Sequence, residues 1–240
     1  MASPILELEK VNRSFGAVIV ARDLAFSVSE GEAVGVIGPN GAGKSTLFNL
    51  ITGNLAPNSG TVRFHGRDVT SANAMQRCVM GIGRSFQIPQ PFEKLTVFEN
   101  LLVANAFGGQ QGRFDAESCA DILERTELLH KANSIAGSLS LLERKRLELS
   151  RALATNPKLL LLDEIAGGLT EGECRSLVET IRALHAAGTT IIWIEHVLHA
   201  LTAVVNRLIV LNFGEIIAEG QPQEVMASRQ VKEIYLGIEA

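Results

Sequence analysis

The sequence predicts an α/β fold with a mainly parallel sheet, an antiparallel β edge and an inserted helical subdomain. Three observations carry this prediction. Short apolar strands alternate with amphipathic helices, which is the order that builds parallel sheets. The first residues instead alternate apolar and polar side chains, as half-buried antiparallel strands do. Between residues 84 and 155 strand signals thin out and helical spacing takes over.

Composition and charge exclude several classes of protein. The chain has 240 residues, of which 46% are hydrophobic, so it can bury a sizeable core. Its net charge of -4 disfavours a nucleic-acid partner. No apolar run reaches the roughly 18 residues of a membrane span, and the N-terminus lacks a signal-peptide pattern. Three distant cysteines indicate reduced thiols in a cytosolic protein, and any membrane role should be peripheral. They are Cys78, Cys119 and Cys174.

The first elements follow from periodicity. Residues 5–11 and 24–28 predict two strands that pair antiparallel at a sheet edge. Residues 33–37 form a continuous apolar run, which is typical of a strand buried on both faces. The next helix has an apolar face made by Leu47, Phe48, Leu50 and Ile51, and it should end at Gly53, because glycine accepts a left-handed backbone.

The middle of the chain is predicted to be helical. Residues 97–107, 116–129 and 142–154 carry apolar side chains at helical spacing, and proline and glycine breakers such as Gly109 separate them. We therefore expect a helical subdomain at residues 84–155. Residues 1–83 and 156–240 should together form the core domain into which this subdomain is inserted.

The last third of the chain returns to alternating strands and helices. Residues 159–162 and 189–194 predict two more buried strands, with a helix closed by Gly188 between them. A hairpin at residues 207–212 and 215–219 is followed by short helices. In parallel sheets, ligands bind at the carboxyl ends of the strands. Those ends carry Gly38, Asp163 and His196.

A glycine-rich segment separates the first buried strand from its helix. Its two glycines, with four residues between them, precede a lysine and a hydroxyl residue, which is the pattern of a phosphate-binding loop. Backbone N–H groups can wrap phosphate oxygens there, Lys44 can reach the terminal phosphates and Ser45 can ligate magnesium. A glycine-rich turn with a surface lysine is the alternative, but the flanking strand and helix favour a P-loop NTPase core. The expected site comprises Gly38, Pro39, Asn40, Gly41, Ala42, Gly43, Lys44 and Ser45.

Acidic and imidazole side chains follow two of the other buried strands. Asp163 ends one strand, where an aspartate can hold a metal ion that faces the phosphates. Glu164 is then placed to orient and deprotonate an attacking water. His196 ends another strand and can sense the terminal phosphate. The alternatives are an acidic start of the following helix for the carboxylates and a structural role for the histidine.

With these motifs in this order, the chain resembles the ATP-binding subunits of ABC transporters over essentially its whole length. The resemblance implies the ABC ATPase fold, with Gly38 to Thr46 as the Walker A loop, and Phe15 as the aromatic that stacks on adenine. For Phe15 and Gln87 the residues alone favour a core aromatic and a solvated loop. The implied catalytic residues are Lys44, Gln87, Glu164 and His196, and the implied metal contacts are Ser45, Gln87 and Asp163.

The family signature, usually Leu-Ser-Gly-Gly-Gln, falls on residues 139–143. Ser140 and Glu143 have the spacing of a capping box, which predicts a helix start there. The resemblance implies that Ser140 contacts the ATP of an opposite subunit. Leu141 and Leu142 replace both glycines, which puts hydrolysis at that composite site in doubt. We expect the basic run at residues 144–146 to be a solvated helix face and not a nucleic-acid contact.

Within the family, residues 37–53, 84–87, 95–101, 194–197 and 235–237 are similar to the ATPases of branched-chain amino-acid importers. The resemblance implies ATP and Mg²⁺ as cofactors, transmembrane permease subunits and a second ATP-binding subunit as partners, and an external substrate-binding protein as an indirect partner. The second ATPase can be identical or different. The implied location is the cytoplasmic face of the cell membrane. Two alternatives remain: an ATPase of lipid or lipopolysaccharide transport, and a nucleotide-gated module that hydrolyses little.

Overall fold

Two sheets and the helices packed on them form the part of the chain that the computed structural model describes, residues 4–108 and 115–236. The breaker Gly109 and residue 237 of the family-like ending lie outside these ranges. The strands are β1 (Leu6–Phe15), β2 (Val18–Val28), β3 (Ala33–Ile37), β4 (Ser59–Phe64), β5 (Arg67–Asp68), β6 (Ile82–Ser85), β7 (Leu159–Asp163), β8 (Thr190–Ile194), β9 (Arg207–Asn212) and β10 (Glu215–Gly220). The helices are α1 (Lys44–Thr52), α2 (Ala74–Met80), α3 (Val97–Gly108), α4 (Ala116–Arg125), α5 (Leu141–Ala154), α6 (Glu171–Ala186), α7 (Leu198–Thr202), α8 (Pro222–Ala227) and α9 (Arg229–Leu236).

The larger sheet has the strand order β10-β9-β3-β8-β7-β6. All its neighbouring strands run parallel except the β9–β10 hairpin, which confirms the mainly parallel sheet. β3, β7 and β8 are buried along their whole lengths, as their apolar runs predict. Trp193 of β8 lies opposite Leu162 of β7 and is fully buried. The carboxyl ends of β3, β8, β7 and β6 therefore meet at one edge of the sheet.

β1 and β2 pair antiparallel as predicted, but they belong to a separate sheet with the order β2-β1-β4-β5. We expected these two strands to pair at the edge of a sheet. Instead, β4 pairs with the other side of β1, so β1 is an inner strand of its own sheet. α1 lies in the same core cluster as the inner face of this sheet and one face of the parallel sheet. The opposite face of the parallel sheet packs with α6 and the helical segment. The phosphate loop thus leads into a helix held between two sheets.

The helical segment contains α3, α4 and α5 close to their predicted positions. α4 ends at Arg125 and not at residue 129, because Thr126 caps it and Glu127 takes a positive φ of 57°. We retain residues 84–155 as a proposed subdomain. Within the described ranges, no helix is long and apolar enough to cross a membrane.

The three cysteines carry free thiols, as expected. Cys119 and Cys174 are buried and Cys78 is partly buried. Burial raises the pKa of all three thiols, so none is activated as a nucleophile.

The basic run at residues 144–146 is not the solvated helix face that we expected. Lys145 and Arg146 of α5 are each only 4% exposed. Arg146 donates a hydrogen bond to the Thr126 carbonyl and pairs with Glu127. The prediction was wrong because backbone carbonyls and a carboxylate satisfy these cations inside the protein.

Candidate nucleotide-binding site

The phosphate loop connects β3 to α1 and needs glycine at two tightly packed positions. Gly38 has a φ of 157°, and a Cβ there would lie 2.2 Å from the Leu211 carbonyl oxygen. Gly43 has a φ of 102°, and its Cβ would lie 2.8 Å from the Val20 carbonyl oxygen. The β9–β10 hairpin and β2 therefore hold the loop against α1, and side chains at these positions would push it out of place.

Lys44 is the first residue of α1 and is 7% exposed. Its Nζ donates hydrogen bonds to the Gly38 and Pro39 carbonyls at 2.8 and 3.0 Å. Burial lowers the pKa of Lys44, and the nearby carboxylates of Glu164 and Asp163 oppose this shift. No side chain caps the start of α1 among the described residues, so its first N–H groups remain available for an anion.

Three predicted site residues come together at the carboxyl edge of the parallel sheet. Gln87 follows β6, Glu164 follows β7 and His196 follows β8. The Gln87 Nε2 donates a hydrogen bond to the Glu164 carboxylate, and His196 Nε2 lies 2.9 Å from its other oxygen. Glu164 itself has a positive φ of 45°, and its N–H donates to the Ile194 carbonyl. The carboxylate is thus fixed from two sides.

Asp163 has a partner that the sequence did not reveal. Nη2 of Arg84 donates to Asp163 Oδ2 at 2.6 Å, and Nη1 donates to Asn49 Oδ1 at 2.7 Å. The side chains of this ion pair are only 9% and 7% exposed. Arg84 belongs to β6, whose Ile-Gly-Arg-Ser sequence carries no strand signal.

The residues expected to hold a metal ion fit that role chemically. Ser45, Gln87 and Asp163 border one cleft of about 450 Å³. Each has an oxygen ligand, and hard cations such as Mg²⁺ prefer oxygen. Mg²⁺ usually takes only one or two protein ligands and completes its shell with phosphates and water. This donor set therefore suits Mg²⁺ brought in with a nucleotide.

Phe15 lies at the end of β1 and is 52% exposed, so the interpretation as a core aromatic was wrong. The Arg13 guanidinium carbon lies 4.6 Å from the centroid of its ring. Val18 and Ile19, which begin β2 directly across the hairpin, are also exposed. Arg13 lies over one face of the ring, and the exposed part of the ring can stack on a base, as the resemblance implies.

Ser140 is not brought to the cleft within this chain. It caps α5 in the predicted capping box with Glu143 and borders a separate groove. Leu141 is 46% exposed, whereas Leu142 is half-buried against the core.

α5 fastens the loop that carries Gln87. The Lys145 ammonium donates to the Gln87 carbonyl at 2.8 Å and to the Glu164 carbonyl at 3.3 Å. Arg151 donates to the Gln90 carbonyl, and backbone N–H groups of Phe86 and Gln90 reach the Glu148 carboxylate. Burial lowers the pKa of Lys145 and raises that of Glu148. We did not predict this role of Lys145, because we expected the basic run to lie on the surface.

Comparisons with known proteins agree with this geometry. A family model described as "ABC transporter" matches residues 21–167, and one described as "Branched-chain amino acid ATP-binding cassette transporter" matches residues 215–240. The chain is 35% identical over 253 residues to the "High-affinity branched-chain amino acid transport ATP-binding protein LivG" of Salmonella typhimurium, with 99% of each chain covered. It is 33% identical to the "Lipopolysaccharide export system ATP-binding protein LptB" of Haemophilus influenzae, with 97% of each covered.

Solved structures show the same similarity. The ADP conformation of MJ1267, an ATP-binding cassette of an ABC transporter, superimposes with a TM-score of 0.90 at 35% identity, covering 99% of this chain and 100% of that one. A dimeric post-hydrolysis state of the cassette MJ0796, bound to ADP and Pi, gives a TM-score of 0.80 at 25% identity. That match covers 90% of this chain and 98% of the other.

Proposed function

The chain belongs to the ABC transporter family, and from this premise we propose that it is the ATP-hydrolysing subunit of an importer for branched-chain or related amino acids. One observation carries the catalytic part of the proposal. Gln87, Glu164 and His196 converge at the sheet edge from which the phosphate loop also starts. The substrate class is supported by the matches to branched-chain amino-acid transport proteins along the whole chain and at its C-terminal end.

The phosphate loop provides the binding energy for the nucleotide. Lys44 would exchange its two loop carbonyls for phosphate oxygens, and N–H groups at the start of α1 would add further donors. Phe15 would stack on the adenine. Ser45, Gln87 and Asp163 would hold Mg²⁺, which when bound neutralises charge on the phosphates.

Hydrolysis requires a positioned water and little covalent chemistry. Glu164 would accept a hydrogen bond from that water and take its proton. Gln87 and His196 keep the carboxylate in place, since both contact its oxygens. Lys145 supports the same loop segments through their carbonyls. These residues therefore place the base before a substrate arrives, which is how preorganisation lowers a barrier.

An apolar groove supports a membrane partner. It has a volume of about 360 Å³ and includes Phe86 and Phe107, which are 46% and 78% exposed. Exposed apolar surface of this kind is typical of interaction sites. We propose that transmembrane permease subunits dock here, which places the chain at the cytoplasmic face of the membrane. An external substrate-binding protein would then act through the permease.

A second ATP-binding subunit would complete the site. Ser140 borders a groove separate from the cleft that contains Ser45 and Asp163, which supports its contact with the nucleotide of another subunit. The dimeric cassette with ADP and Pi supports such an arrangement. The partner can be a second copy of this chain or a different ATPase.

The test is steady-state MgATP hydrolysis by the purified chain. Glu164→Gln should keep ATP affinity and lower turnover by at least about 100-fold, because it removes the general base. Glu171→Gln is the matched control, since Glu171 is 80% exposed on α6 and pairs with the exposed Arg175. Equal turnover in the wild type and Glu164→Gln would contradict the assignment. ATP binding without turnover in the wild type would favour the nucleotide-gated alternative.

A further inference from the structure

Arg84 sits between the two functional surfaces of the protein. Its guanidinium borders both the apolar groove and the cleft that contains Ser45 and Asp163. On the cleft side it donates to Asp163 at 2.6 Å. Its other terminal nitrogen, Nη1, donates to Asn49, which lies on the helix that follows the phosphate loop.

Two aromatic rings flank the same guanidinium. Its central carbon lies 4.9 Å from the ring centroid of Phe86 and 5.4 Å from that of Phe48. Phe48 is fully buried in α1, but Phe86 is 46% exposed in the groove. A guanidinium is planar and can stack on rings while its edge donates hydrogen bonds. Arg84 uses both capacities at once.

We propose that Arg84 is a positioning residue that links the apolar groove to the metal-holding carboxylate. It holds one oxygen of Asp163 and leaves the other for a cation and its waters. Phe86 keeps the guanidinium in that orientation, so a partner that moves Phe86 in the groove also moves Asp163. The inference rests on the proposed function, in which Asp163 holds Mg²⁺.

A neighbouring residue provides a matched control. Phe92 borders the same groove and is 47% exposed, nearly the same as Phe86. Its ring stacks on Arg151 at 5.3 Å and not on Arg84. Phe86→Ala and Phe92→Ala therefore remove similar apolar surface from the groove, but Phe86 also borders the cleft with Ser45 and Asp163, and only Phe86→Ala removes a support of Arg84.

The experiment titrates Mn²⁺ into protein with bound ADP and follows free Mn²⁺ by its paramagnetic resonance signal. Asp163→Asn provides the reference for a lost ligand. Phe86→Ala should raise the half-saturating Mn²⁺ concentration about five-fold, because a stacking support of the guanidinium is lost. Arg84→Lys keeps the positive charge but loses the planar guanidinium that donates to both Asp163 and Asn49. It should raise the half-saturating Mn²⁺ concentration by about ten-fold or more. Phe92→Ala should raise it much less than Phe86→Ala does, because it leaves Arg84 and Asp163 in place.

The outcomes separate this inference from the proposed function. An unchanged Mn²⁺ titration for Phe86→Ala, or an equal shift for Phe92→Ala, overturns the link while Asp163→Asn still shows the metal site. A titration that Asp163→Asn does not alter overturns the metal assignment and the link together. Circular dichroism confirms that each variant is folded, and Phe86→Ala, at an exposed position, keeps the test informative if Arg84→Lys does not fold.

Discussion

Among single residues, Glu143 shows how a capping box lowers the pKa of a carboxyl. Its carboxylate accepts a hydrogen bond from the Ser140 N–H at 2.8 Å and lies 3.1 Å from the Lys131 ammonium. The Ser140 N–H in particular holds the pKa of Glu143 below its ordinary value. A carboxyl whose folded pKa is lower than its unfolded pKa stabilises the fold above the unfolded pKa. The stabilisation is lost as the pH falls through the folded pKa.

We expect Glu143→Ala to lower the free energy of unfolding by about 1 kcal/mol at neutral pH, since it opens the capping box. The difference from the wild type should shrink in acid, below the unfolded carboxyl pKa. Urea unfolding followed by circular dichroism at several pH values measures it. Glu179→Ala, at an exposed ion pair within α6, should show little change. A difference that does not depend on pH would contradict the role of the charge.

Residues whose roles depend on local spacing were predictable, and those that depend on tertiary partners were not. The Ser140–Glu143 box and the glycines of the phosphate loop follow from sequence neighbours. Lys145 was expected on a solvated face and Arg84 was given no role of its own, because nothing near them in the sequence indicates the distant carboxylate and carbonyls that they meet. Long-range hydrogen bonds leave no trace in a periodic pattern.

At the scale of elements, α2 supports the helix that follows the phosphate loop. Arg77 of α2 is 1% exposed and donates to the Leu50 and Ile51 carbonyls in the last turn of α1. It also donates to the Thr70 and Ala72 carbonyls. Burial lowers the pKa of Arg77 to about 10. This cation therefore satisfies carbonyls that the end of α1 leaves open.

Arg77→Leu should lower the free energy of unfolding by about 2–4 kcal/mol, because it leaves buried carbonyls without donors. Chemical denaturation measures the loss. Arg175→Leu is the control, since Arg175 is 73% exposed, and it should change stability by less than about 0.5 kcal/mol. A loss for Arg77→Leu no larger than that for Arg175→Leu would contradict the role of the buried hydrogen bonds.

Strands with mostly apolar residues could be predicted from the sequence, and strands with few apolar residues could not. β3, β7 and β8 were predicted because their residues are mostly apolar, as strands buried on both faces require. β6 was missed, since its four residues include Gly83 and Arg84. β4 and β5 were missed because the pairing of β4 with β1 and of β5 with β4, and not their own composition, makes them strands.

At the scale of the whole molecule, the separation of Ser140 from the cleft predicts a nucleotide-dependent dimer. Glu164→Gln loaded with ATP should have twice the mass of the chain in light scattering, because the trapped terminal phosphate bridges two subunits. With ADP it should have the mass of one chain. A single-chain mass in both states would contradict the composite site.

Leu141 and Leu142 give the second prediction at this scale. Replacing both with glycine should raise the turnover of the purified chain by about ten-fold or more, since backbone N–H groups could then approach phosphate. Leu129→Gly is the control, because Leu129 borders the same groove away from the start of α5. Strong wild-type turnover that the double replacement does not change would show that these leucines do not impair hydrolysis.

The burial of Trp193 gives the molecule an optical signal of its own. It is the one tryptophan of the sequence, and it lies fully buried in the core on the face of the parallel sheet that packs with α6. In the described part of the chain its Nε1 has no hydrogen-bond partner. Its fluorescence emission maximum should therefore lie at a short wavelength in the native state and shift to a longer wavelength when the sheet unfolds. The fluorescence of this one residue therefore reports whether the strands that position Asp163 and His196 are folded.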